Sequence, residues 1–231
     1  MAFQYFMTHK GTTLERDVQA DVYRFKTDHM SIDADGAPNC YHPNDVSGLD
    51  KLSYSGYPDD WSGVLVPDPA DRTKPYTQKR GTYKGFFVSQ TALCDPAKDE
   101  TDPARYVDAR HIPYWVFPPE FPPIKGTGRL GDVGVAKNMT TGVTSSFIIA
   151  DVGPPNHPLA EVSIALAQAL GGNHVNPRNG AGKPAGEMAY AVFRNASAQT
   201  GGWPLTTAQI DTIAVKHTAR CGGVGQLFAG L

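Results

Sequence analysis

The stretch from Phe147 to Gly171, FIIADVGPPNHPLAEVSIALAQALG, constrains the fold most, because its apolar pattern changes period across a turn that no regular element can cross. Val143 to Ala150 is rich in β-branched and apolar residues and reads as a buried strand. Asp151 stands where that strand runs out, and Gly153, Pro154 and Pro155 then stop both helix and strand. Pro158 suits the first position of a helix, where no amide donor is needed. Leu159, Val162, Ala165, Leu166, Ala169 and Leu170 supply helical spacing up to Gly171-Gly172. Glu161 then falls in the first helical turn, close to the turn carrying Asp151. Two carboxylates so placed can face one cleft, the arrangement that acid/base hydrolysis of a glycosidic bond needs. The same residues admit a structural reading: the helix dipole favours an acid in the first turn, and Asp before Gly-Pro is an ordinary turn residue.

Upstream, Ala20 to Phe25 alternates and His29 to Ile32 follows as a second short run, a pair of strands or one strand with a bend. Asp33 to Asp45, DADGAPNCYHPND, is a loop whose carboxylates suit a cation or a polyol. Ser62 to Val66, Thr82 to Leu93, Ile112 to Phe117 and Asp132 to Ala136 read as strands, with Pro67 to Arg80 as a loop. Tyr54, Tyr57 and Trp61 beside Asp59 and Asp60 fit sugar stacking as well as edge-of-core packing. Asn173 to Gly186 is a loop holding His174 and Arg178, Met188 to Phe193 is a strand, and Thr206 or Thr207 caps a last helix that ends at Gly222-Gly223. Many short strands with few helices predict one β-rich α+β domain over the whole chain. Its mostly antiparallel sheet is expected to be curled or closed, barrel-like, with a packed central helix and a C-terminal helix.

Several motifs lose on context. GTGRLG, Gly126 to Gly131, matches the dinucleotide pattern by letter, but a proline-rich segment precedes it and a strand follows it. Asp33, Asp35 and Gly36 fill the third, fifth and sixth positions of a calcium-loop register, but that register puts Ser31 first and His42 last, where a bidentate Glu is required. Cys40 and His42, loop neighbours, are no catalytic pair, and no His pair has the helical spacing of a hydrolytic zinc site. A net charge of −2 without a basic stripe argues against nucleic acid, and no apolar run is long enough to span a bilayer. The first residues lack the basic-then-apolar order of a secretory signal, and three cysteines allow at most one internal disulfide.

The pieces VYRFKTDHMSIDADGAPNCYHP (Val22 to Pro43), GLDKL, DPARYVDARHIPYWVFP, IIADVGP, EVSIALAQALG and NPRNG occur in an order that resembles the chitosanases of glycoside hydrolase family seventy-five. That family's catalytic acids fall on Asp151 and Glu161. The turn PPNHPLA between them departs from the family in carrying His157 and bulky residues. The resemblance implies endo-hydrolysis of β-1,4-linked glucosamine in chitosan with inversion and with no metal or organic cofactor, by a secreted enzyme, expected as a monomer, whose partner is the polysaccharide. Asp33, Asp35, His42 and Arg178 are the expected substrate contacts, with a structural turn as the alternative for the two aspartates. Hydrolysis of a bacterial cell-wall glycan and a non-enzymatic carbohydrate-binding role are the competing expectations.

Overall fold

A computed structural model describes residues 1–199 and 202–231. Along the chain these form β1 (Gln4–His9), β2 (Thr12–Asp17), β3 (Val22–Thr27), β4 (Ser31–Asp33), β5 (Pro67–Asp68), β6 (Asp71–Pro75), β7 (Tyr114–Phe117), β8 (Val133–Asn138), β9 (Thr144–Val152), β10 (Glu161–Ser163), α1 (Ile164–Ala169), β11 (Met188–Phe193), α2 (Thr207–Arg220) and α3 (Gly223–Leu227). Nine strands make one sheet in the order β1-β2-β3-β11-β8-β9-β7-β10-β4, and β5 and β6 pair apart from it. The fold is therefore mixed and strand-rich, with a large, mostly antiparallel sheet and few helices.

The first hairpin turns at Lys10-Gly11, both at positive φ (44° and 83°), the conformation a two-residue turn between twisted strands demands. Further in, β7 and β11 are buried at every position, which requires cover on both faces. The core is aromatic: Trp115 lies between Phe25, Phe117 and Phe147, with ring centroids 5.7, 5.7 and 6.3 Å away. α2 packs on β8 and β9, while α1 packs against β10, β9, β4 and β7. Thr206 caps α2 in a full capping box with Gln209.

The sheet is not closed into a barrel: β1 and β4 each pair with a single neighbour and remain its two edges. The expected helix from Pro158 is also corrected. Ala160 sits at φ 73°, a left-handed conformation that a right-handed helix cannot contain, and its carbonyl accepts from Ser31 N at 3.1 Å. The chain thereby enters a parallel ladder with β4, in which Glu161 is opposite Ser31 and Ser163 opposite Asp33. Helix begins only at Ile164, because Ser163 Oγ, fully buried, accepts from Leu166 N (3.1 Å) as N-cap. That hydroxyl also accepts from Tyr114 N and donates to the Ile112 carbonyl, both at 2.9 Å, which fastens β10 to the start of β7.

Two expected strands are only isolated bridges, Leu65 with Ser89 and Thr77 with Phe87, because Gly81 and Gly85 at positive φ break the run. Conversely, the segment read as a loop from Pro67 contains the β5–β6 hairpin. All three cysteines are free.

Candidate active site

Two parallel pairings inside the antiparallel sheet bring the acids together. β7 runs parallel to β9, with Val116 opposite Asp151 after a bulge, and β10 lies on the other side of β7, with Val162 opposite Trp115. β4 then pairs parallel to β10. Asp151 thus comes from the end of β9, Glu161 from the start of β10, and Asp33 from the end of β4. These line a cavity of about 810 Å³ together with Asp35, Asp50, His29, Tyr54 and His157. A second cavity of about 580 Å³ shares Asp35, Gly63, Val64, Asp151 and Val152 with the first. The two cavities therefore adjoin at Asp35 and Asp151.

Asp33, Asp35 and Asp151 each present an oxygen within 4.8 Å of the others. Asp151 Oδ1 accepts from Ala92 N (2.9 Å) and from its neighbour Val152 N (2.8 Å). Asp33 accepts from Asp35 N (2.8 Å) at Oδ1 and from the Tyr114 hydroxyl (3.0 Å) at Oδ2. Asp35 accepts from Ser89 Oγ at 2.6 Å. Burial raises all three carboxyls. The charges of Asp33 and Asp151 add to it at Asp35, and Asp33 adds to it at Asp151, where the two amides pull the other way. Three carboxylates this close cannot all stay ionised, so they must share protons or take up a cation, and the oxygen spacing fits either.

Compared with models of known protein families and with curated proteins, the chain matches none.

Glu161 stands outside that trio and in a different environment. Its side chain is 22% exposed, and no hydrogen bond to it is found among the described residues; His157 Nδ1 lies 3.8 Å from Oε2. Burial, reinforced by the charges of Asp33, Asp151 and Asp50, lifts its carboxyl to about 8. The expected helix-terminus field, which would oppose this, is absent because Glu161 sits on a strand three residues before α1. Glu161 is accordingly held protonated at neutral pH beside a groove, a state in which a carboxyl can act as a proton donor.

The structure places the other expected contacts unevenly. Asp33 and Asp35 both line the cavity, and their carboxyls form the trio with Asp151. Arg178 lines the cavity, yet its guanidinium is tied to the Asp45–Asp50 loop, donating to the carbonyls of Asp50 (2.8 Å) and Asp45 (2.7 Å). It thereby holds Asp50 in place. His42 is not among the residues lining the cavity: its ring packs edge-on against Phe86 (4.8 Å) and its Nδ1 accepts from Asn44 N. Asp59, Asp60 and Tyr57 also lie off the cavity lining, and Trp61 is buried. Asp50, which burial raises to about 6, was missed. Its signal was an acid in the sequence Leu49-Asp50-Lys51-Leu52, where apolar neighbours announce burial. His29 and His157 were missed as well, since only the pairing of β4 with β10 brings them to one wall.

Proposed function

We propose that the protein is an endo-acting glycoside hydrolase, a secreted monomer that cleaves β-1,4 linkages of chitosan with inversion. Glu161 is its general acid, and Asp151 activates water. The observation that carries this reading is a carboxyl held protonated up to about pH 8 on a groove that runs past three mutually close aspartates. A glucosamine ammonium entering beside the trio supplies the positive charge that lets those carboxyls ionise, so a cationic sugar converts Asp151 into a competent base. Inversion needs about 6.5 to 9.5 Å between the working carboxyls, to leave room for water. Glu161's place outside the tight trio fits that demand better than a nucleophile's close approach.

A second reading, hydrolysis of a bacterial cell-wall glycan, is favoured by one feature. The flanking cavity is lined by Arg72 and Arg105, which suit a neutral or acidic sugar better than an ammonium. Reducing-end release from chitosan, chitin and purified cell walls separates the two.

The test of roles uses leaving groups. Glu161→Gln abolishes hydrolysis of chitosan but retains activity on the β-fluoride of a glucosamine oligomer, which needs no protonation to depart; Asp151→Asn loses both. A reversed pattern exchanges the roles. A first product of β configuration by proton magnetic resonance sinks the inverting mechanism.

A further inference from the structure

We infer that His157 is a positioning residue for Glu161: its Nδ1–H donates to Oε2, so that Oε1 is the oxygen that carries the proton into the groove. This rests on the reading of Glu161 as general acid. Three connections fix the turn between β9 and β10 that bears His157. The His157 carbonyl accepts from His9 Nε2 at 3.0 Å, Asn156 Oδ1 accepts from Lys10 Nζ at 2.9 Å, and Asn156 N donates to Glu120 Oε1 at 2.7 Å. The turn is thus held from outside by the first hairpin and by the loop after β7, and it delivers the imidazole to the inner side.

There His157 Nδ1 is buried and has no hydrogen-bond partner, an arrangement that costs free energy until a partner is found. Glu161 Oε2 is 3.8 Å away, and a side-chain rotation of less than an ångström brings it to the roughly 3 Å of a hydrogen bond. Catalytic hydrogen bonds are commonly long before substrate enters. The carboxyl is confined on another side by Gly153, where even a methyl group would stand 3.0 Å from Oε2 and 3.1 Å from Val116 Cγ1. His29 closes the third side, with its ring edge-on to His157 at 5.9 Å. Burial, then the neighbouring His157 and Lys183, lowers the pKa of His29, so it stands there as a neutral ring and does not compete as a cation for Glu161. During the reaction the proton on Oε1 passes to the leaving oxygen as the glycosidic bond breaks, and Asp151 takes one from water as the new bond forms. His157 keeps its own proton throughout.

The experiment compares wild type with His157→Leu, His157→Asn and Gly153→Ala on chitosan and on the β-fluoride of a glucosamine oligomer. His157→Leu is expected to lower kcat on chitosan about tenfold or more with KM within about twofold, and to change turnover of the fluoride less than about threefold. His157→Asn, whose amide nitrogen stands near the position of Nδ1, restores most of the loss. Gly153→Ala presses on the same carboxyl from the opposite side and gives the same dependence on leaving group, so the inference stays testable if His157→Leu fails to fold. Equal losses on both substrates, a loss confined to KM, or an unchanged kcat on chitosan overturns it. If the wild type cleaves no glucosamine polymer at all, the glycosidase reading itself fails, and this assignment with it.

Discussion

Asp17 and Asp151 are equally hidden from solvent, 7% and 9% exposed, yet their carboxyls move in opposite directions. Asp17 closes the end of β2, where its two oxygens accept from the amides of Ala2 (2.8 Å), Gln19 and Ala20 (3.0 Å each), and those bonds hold it below the usual carboxylate range. Asp151 has two amides on one oxygen, sits deep in the sheet, and has two other aspartates within 4.8 Å. Burial there wins over the amides, and the carboxyl rises. Low exposure alone thus says nothing about charge state. What separates a structural carboxylate from a chemical one is the number of amides per oxygen and the company of other acids.

The largest effect expected from breaking this contrast is at Asp151. Asp151→Asn keeps an oxygen for the amides of Ala92 and Val152 but removes the ionisable group, and hydrolysis falls by about a thousandfold or more. Its melting temperature at pH 7.5 is unchanged or raised, because a carboxyl whose pKa folding raises costs stability at this pH and an amide does not. Asp17→Asn does the reverse. One face of its amide turns a donor towards the amides of Ala2 or of Gln19 and Ala20, costing about 1 to 2 kcal/mol, or roughly 2 to 8 °C at this chain length, with activity unaffected. Calorimetry on the two variants checks this, and a shift of the same sign in both would erase the distinction.

Much of the fold was legible in the sequence, and the rest was not for identifiable reasons. Local period and turn chemistry were sufficient for β3, β7, β8, β9, β11 and the capped α2, since each has its pattern and its stop signal within its own residues. The pair Asp151 and Glu161 could be singled out as acids flanking one turn. The strand identity of Glu161 could not, because Pro158 to Leu170 carries helical spacing and only pairing with β4, more than a hundred residues earlier, overrides it. β1 and β2 were overlooked as strands although Lys10-Gly11 is a legible turn. The trio needed the long-range register of β9, β7, β10 and β4, which no local pattern encodes, and so the sequence places Asp33 and Asp35 in a loop without joining them to Asp151.

The next effect is in pH, and its sign follows from the directions above. Glu161 is raised from an ordinary 4.5 to about 8, so its contribution to stability is complete below about pH 4.5 and is lost as pH rises towards 8. Asp17 is lowered, so its contribution is present above about pH 4 and is lost as pH falls through its folded value. Hydrolysis should persist to about pH 8 and then fall about tenfold per unit as Glu161 loses its proton. In Glu161→Gln the loss of melting temperature between pH 5 and 8 should shrink by a few degrees. An unchanged pH slope in that variant would mean that Glu161 titrates as an ordinary solvated acid, and the contrast between the two regions would then rest on the aspartates alone.

The smallest effect tests whether the groove binds sugar by a surface that the fold does not need. Tyr54 lies on the short 3₁₀ turn Leu52–Ser55, is 54% exposed and lines the larger cavity, whereas Trp61 nearby is 7% exposed and belongs to the core. Lys51 Nζ donates to the Tyr54 hydroxyl (3.2 Å) and lies 5.1 Å from the ring centroid, which steadies the ring without burying it. An exposed aromatic face beside a row of acids is suited to stack on a pyranose while the acids take its amine or hydroxyls. Tyr54→Ala should therefore raise KM for the polymer about three- to tenfold, leave kcat within about twofold, and move the melting temperature by less than about 1 °C. Trp61→Ala should do the opposite, lowering the melting temperature by several degrees for a loss of about 3 kcal/mol or more. A Tyr54 variant that melts early with an unchanged KM would show that its ring is edge-of-core packing, and the sugar platform would have to be sought elsewhere along the groove, among residues on the Arg72 side of the acids.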